Sequence, residues 1–66
     1  MSVIKEYRKK RNLTQVEFSD RVGSSLPTVK RWEKGSHTPT LIQAAKICKV
    51  LRLPFGKLLN DYKEVD

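Results

Sequence analysis

The sequence predicts an all-α fold built from five short helices, and three observations carry that reading. Ser2, Thr14, Ser25 and Thr40 each stand at a helix-capping position just ahead of a run with helical spacing. Within those runs apolar residues recur every three or four positions, and no stretch alternates cleanly enough to argue for a strand. Gly23, Gly35 and Pro54 fall between the runs, where a chain stops or restarts a helix.

The first helix spans Val3 to Arg11 behind Ser2, with Ile4 and Tyr7 facing inward and Lys5, Lys9 and Lys10 left to solvent. Leu13 continues the core into the second helix. Thr14 caps that helix, and Glu17 three residues on completes a capping box; Phe18 and Val22 are its buried residues and Gly23 its stop. Ser25 caps the third, Leu26 to Lys34, whose first turn holds Pro27 at little cost. Its 100° step puts Val29, Trp32 and Glu33 on one side, with Pro27, Arg31 and Lys34 opposite and Lys30 beside them. One face is core and the other is basic.

Gly35 ends the third helix, and Ser36 to Pro39 form an exposed loop carrying His37. Thr40 and Gln43 cap the fourth helix, in which Leu41, Ala44, Ala45, Cys48 and Leu51 repeat at helical spacing. Pro54 opens a short fifth helix with Phe55, Leu58 and Leu59 as its apolar face. Residues 1–59 read as one domain, and residues 60–66 as a polar tail that frays.

A chain of 66 residues holds a single small domain, burying about 60% of the surface its unfolded form exposes. It has no room for a cleft between domains, and it offers no metal-ligand cluster, no phosphate loop and no nucleophile with a base at usable spacing. The sequence therefore argues against an enzyme, and no cofactor, metal or small-molecule ligand is expected. Fourteen Lys and Arg against seven Asp and Glu give a formal charge of +7, which suits a polyanion. A membrane partner would need a basic amphipathic helix with a broad apolar face or an acylation signal, and neither is present. With no signal peptide or apolar span in the sequence and a single Cys48, the expected location is the cytoplasm.

Residues Thr14 to Glu33 set a capped helix, a glycine turn and a second helix at the spacing of a helix-turn-helix. Ser19 is small where the helices cross, and Gly23 supplies the turn. In order along the chain, Arg8, Leu13-Thr14-Gln15, Glu17, Gly23, Ser25, Val29, Trp32-Glu33, Gly35, Pro39, Leu41, Ile47, Leu51 and Leu58-Leu59 form a longer pattern. On these residues the segment from Arg8 to Leu59 resembles the Cro and repressor (XRE-like) helix-turn-helix family of phages and bacteria.

The resemblance implies a compact five-helix, repressor-like domain whose third helix enters the major groove of double-stranded DNA, as a homodimer on a palindromic operator. It implies that Gln15 contacts a backbone phosphate and that Ser25, Leu26, Pro27, Lys30 and Arg31 face base edges or flanking phosphates, with Thr28 and Lys34 completing the set. The family's buried ion pair falls on Arg8 and Glu33. Relatives dimerise through the region of the fourth and fifth helices, which here offers Arg52, Leu53 and Phe55. Either Phe55 only closes the core, or it and Leu53 form an outward apolar patch; the expectation is the patch.

This chain departs from the family pattern at three places. Ser24 replaces an apolar residue after the turn. Leu26 and Pro27 replace hydrogen-bonding side chains, so they can offer only apolar contact, such as to a thymine methyl, and direct readout rests on Arg31 and Lys30. Arg52 replaces a glycine after the fourth helix, which predicts strain at that corner.

Blander readings stand beside these. Lys5, Lys9 and Lys10 read as a solvated face, Trp32 as core rather than a stacking platform, Cys48 as a buried small hydrophobe and His37 as a surface residue. The expected function is a sequence-specific DNA-binding transcriptional regulator, most simply a repressor. The competing reading is a protein-interaction module, an antitoxin or antirepressor, on the same fold. The basic face of the third helix favours the first.

Overall fold

The computed structural model describes residues 2–62. They form α1 (Val3–Lys10), α2 (Gln15–Val22), α3 (Leu26–Lys34), α4 (Leu41–Leu51) and α5 (Phe55–Asp61), and the described residues contain no strand. The expected all-α class and element order are both found.

Every anticipated cap is made. Ser2 Oγ accepts from the Lys5 N–H at 3.1 Å, and Ser25 Oγ from the Thr28 N–H at 3.3 Å. Thr14 with Glu17, and Thr40 with Gln43, form reciprocal capping boxes in which the third-residue side chain returns to the cap N–H at 2.8 Å in each case. Each such cap stabilises its helix by about 1 kcal/mol.

Four of the five helix exits share one device that the sequence revealed only in part. Asn12, Gly23, Gly35 and Arg52 all sit in the left-handed region, at φ 56, 69, 86 and 53°. The residue after each returns its N–H to a carbonyl five positions back: Leu13 to Arg8, Ser24 to Ser19, Ser36 to Arg31 and Leu53 to Cys48, at 3.0–3.1 Å. This closure satisfies carbonyls that a helix end leaves open. Glycine announces it at two of the four exits. Arg52 adopts it against the ordinary preference of a residue with a Cβ, as its replacement of the family's glycine predicts.

Ile4, Leu13, Phe18, Val22, Val29, Trp32, Ala44, Ile47, Leu51, Leu53 and Leu58 make the core. Here α2 packs on α3 and α4, while α1 bridges α3, α4 and α5. The inward stripe of α4 differs from the one expected. Ala44, Ile47 and Leu51 are buried and Cys48 half-buried, whereas Leu41 and Ala45 are exposed. The helix meets α1, α2 and α5 along the Ile47 line, and Leu41, at the start of the helix and about 120° around its axis from Ile47, stays exposed. At the end of the chain, Asn60 and Asp61 belong to α5 and Tyr62 packs against the core, so these residues are not the start of a tail. Asp61 Oδ2 accepts from the Val3 N–H at 2.7 Å, and the Tyr62 hydroxyl donates to the Trp32 carbonyl at 3.3 Å, closing α5 onto α1 and α3. The rest of the expected tail, residues 63–66, lies outside the described residues.

Candidate nucleic-acid interface

The site is the solvent side of α3, and its geometry follows from how the other side is held. Val29 and Trp32 are buried to 0% and 2% exposure, which fixes the rotation of the helix about its axis. Pro27, Lys30, Arg31 and Lys34 are consequently exposed. Among the described residues the only ion pair joins Arg8 and Glu33, so all three cations of this face are free of acidic partners.

Arg8 and Glu33 pin α3 to α1. The guanidinium meets the carboxylate in a fork, Nε to Oε2 at 2.7 Å and Nη2 to Oε1 at 3.2 Å, with side chains only 9% and 5% exposed. Arg8 also donates Nη1 to the Leu13 carbonyl at 2.8 Å, linking the exit of α1 to the same knot. The pair is affordable in a dry site because every nitrogen of the guanidinium has a partner, and no buried side-chain polar atom among the described residues lacks one.

Gln15, the first residue of α2, is held in this knot as well. Its Nε2 donates to Glu33 Oε1 at 3.1 Å, and the side chain is half-buried. Sequence reasoning missed this tether, although Gln15 and Glu33 flank the motif at its two ends. The amide keeps a second N–H and its carbonyl oxygen, and the N-terminus of α2 adds its own partial positive charge.

At the tip of α3, the Ser25 and Thr28 hydroxyls lie 2.8 Å apart and bond to each other. Leu26 and Thr28 are half-buried, which leaves the Pro27 ring as the most open group of the first turn. The surface therefore changes character along the helix, apolar at its start and cationic in its second and third turns. Lys5, Lys9 and Lys10 are exposed on α1, Lys10 lying 4.7 Å from the centre of the Tyr7 ring. His37 is exposed in its loop. Cys48 is half-buried rather than fully enclosed, and burial pushes its thiol pKa up, which keeps it protonated and unreactive at neutral pH.

The expected patch at the α4–α5 corner needs correction. Arg52 is exposed and Phe55 is 48% exposed, but Leu53 is a core residue at 3%. The left-handed turn at Arg52 folds Leu53 back under α4, where its N–H closes the helix end. Leu59, expected inward, is instead 54% exposed one helical turn beyond Phe55, and Leu41 is 76% exposed. Phe55, Leu59 and Leu41, with Pro39, line an apolar hollow of about 220 Å³. The i to i+4 spacing of Phe55 and Leu59 was legible in the sequence, but only a correct phase for α4 could have added Leu41.

No helix among the described residues is long and apolar enough to cross a membrane. Residues 4–58 match the family model described as Helix-turn-helix. An uncharacterised HTH-type transcriptional regulator from Methanothermobacter thermautotrophicus is 42% identical over 76% of this chain and 72% of its own length. The cryptic phage CTXphi transcriptional repressor RstR from Vibrio cholerae is 32% identical over 91% of this chain and 54% of its own, so the chain spans about half of that repressor. A type II methyltransferase from Lactococcus lactis subsp. cremoris, M1.ScrFI, is 40% identical over 97% of this chain but only 18% of the enzyme, and the likeness concerns a small part of it. No solved structure gives a significant match.

Proposed function

This chain belongs to the helix-turn-helix family of transcriptional regulators, and on that footing we propose that it is a repressor that reads double-stranded DNA with the outer face of α3. The observation that carries the reading is the pairing of an immobilised inner face, Val29, Trp32 and Glu33, with an outer face whose Lys30, Arg31 and Lys34 have no acidic partner. A helix fixed in this way can carry base-reading side chains into the major groove without losing order on binding.

In this reading Arg31 makes the bidentate contact to guanine O6 and N7, discriminating by roughly 1–3 kcal/mol. Lys30 and Lys34 serve bases or flanking phosphates, Ser25, Leu26, Pro27 and Thr28 meet the groove at the helix tip, and Gln15 meets a phosphate through its free N–H. Two copies pair across a two-fold axis through Phe55, Leu59 and Leu41, with Arg52 at the margin, and place half-sites about 34 Å apart on an inverted repeat. Occlusion of a promoter is the simplest mode of repression for a dimer of this size.

Selection of bound sites from a random duplex library tests the proposal. A palindromic consensus is expected, with Arg31→Ala relaxing one position and Gln15→Ala weakening specific and unrelated duplexes alike. Uniform weakening by both substitutions would remove Arg31 from base reading. Absence of duplex binding at low salt, with a stoichiometric protein partner captured instead, would favour the antitoxin or antirepressor reading.

A further inference from the structure

The surface on which α1, α2 and α4 end is distinct from the face of α3, and we infer that it docks an acidic segment of a partner protein bearing an apolar side chain. Arg11 follows α1, Arg21 lies in the last turn of α2, and Lys46, Lys49 and Arg52 extend along and just past α4; all five are exposed. They border two adjoining hollows that share Arg21 and Val50. Val22, Gly23 and Val50 give the first hollow a mainly apolar floor, whereas the second is mainly polar, with Leu13 buried and Val50 half-buried. Asp20 is the only acid lining either, and none of the five cations enters an ion pair among the described residues.

Helix ends attract cations, and this accounts for part of the cluster. Arg21 and Lys49 stand in last turns, and Arg11 donates Nε to the Leu51 carbonyl at 3.0 Å, relieving an open helix end. It does not account for Lys46, which lies in the middle of α4, or for the apolar floor that Arg21, Lys46 and Lys49 surround. A phosphate backbone needs only the charges. A polypeptide with several Asp or Glu around a Leu or Phe uses both charges and floor, and charge complementarity would steer it there. No residue of α3 lines either hollow, so such a segment and a duplex can be bound together.

The probe is a synthetic amphipathic peptide of Asp, Glu and Leu, added to the isotope-labelled protein and followed by amide chemical shifts. Shifts are expected at Arg21, Gly23, Lys46, Val50 and Arg52, and to persist when a duplex is present. Lys46→Glu with Lys49→Glu weakens the peptide about tenfold, the sum of a few exposed charge contacts, in a protein still fully folded at the assay temperature. Arg21→Glu, on a different helix, weakens it too, and so does replacing Leu by Ser in the peptide. The inference is overturned by absence of binding, by shifts centred on Lys30 and Arg31, by indifference to charge reversal or to the Leu-to-Ser change, or by an unrelated duplex producing the same shifts at this surface.

Discussion

Replacing Glu33 by Gln changes the size of the side chain hardly at all but leaves the Arg8 guanidinium facing a neutral amide in a site where it is 9% exposed. Of the guanidinium's three hydrogen bonds, the two to Glu33 lose their charged acceptor and only the one to the Leu13 carbonyl survives intact. Breaking one side of a buried pair typically costs about 3–5 kcal/mol. The surviving carbonyl contact and the small exposure of Arg8 place this case at the lower end, about 3 kcal/mol. A domain of this length has a total stability of roughly 3–10 kcal/mol, so the variant should melt roughly 15 °C lower and approach unfolding at physiological temperature. Urea denaturation of Glu33→Gln, Arg8→Met and the double variant forms the cycle. The double variant should cost little more than either single one, giving a coupling approaching ~3 kcal/mol. Single costs under about 1 kcal/mol, or strict additivity, would refute the claim that this pair holds α3 in place.

Arg52→Gly removes a Cβ from a left-handed residue at φ 53° and should stabilise the domain by about 1 kcal/mol, read as a higher melting temperature; no gain would mean the corner is not strained. At the start of α2, hydrogen bonds from the Thr14 backbone and then its side chain hold the Glu17 carboxyl below its ordinary 4.5. Its contribution to stability is therefore complete above that value and is lost as pH falls through the lower folded value. Thermal melts across the acid range should show a shallower decline for Glu17→Gln than for the parent, and parallel curves would contradict the capping box. Burial, and then the charge of Asp61, push the Tyr62 phenol from 10.0 up to about 12. The folded state thus favours neutral Tyr62, an advantage that is full below 10 and disappears as pH rises towards 12. The tyrosinate absorbance lost in Tyr62→Phe should be the part that rises near 12, and loss of a step near 10 would place Tyr62 in solvent.

Most of the fold was legible because its signals are local. Ser2, Thr14, Ser25 and Thr40 fix the helix starts through bonds within three residues, and the spacing of Val29, Trp32 and Glu33 fixes which side of α3 is buried. The misread positions depend on where a helix meets its neighbours. Leu41 and Ala45 share helical spacing with Leu51, yet the contact line of α4 runs through Ile47. Leu53 looked like part of a surface patch because the turn expected at Arg52 does not by itself say that the next residue folds back into the core; that depends on the packing of Leu53 under α4. The ordered start of residues 60–66 was hidden for the same reason: Asp61 and Tyr62 are held by Val3 and Trp32, far away in sequence. At the site, the residue types of the α3 face were readable, whereas the tether between Gln15 and Glu33 joins two helices and needed coordinates.

Methylation interference on a selected duplex asks most directly whether α3 occupies a major groove. Methyl groups at guanine N7 lie in that groove and those at adenine N3 in the minor one. Interference is expected at guanine N7 in each half-site, with one position released in Arg31→Ala. Interference confined to adenine N3, or unchanged N7 interference in Arg31→Ala, would contradict the reading of DNA by this face of α3.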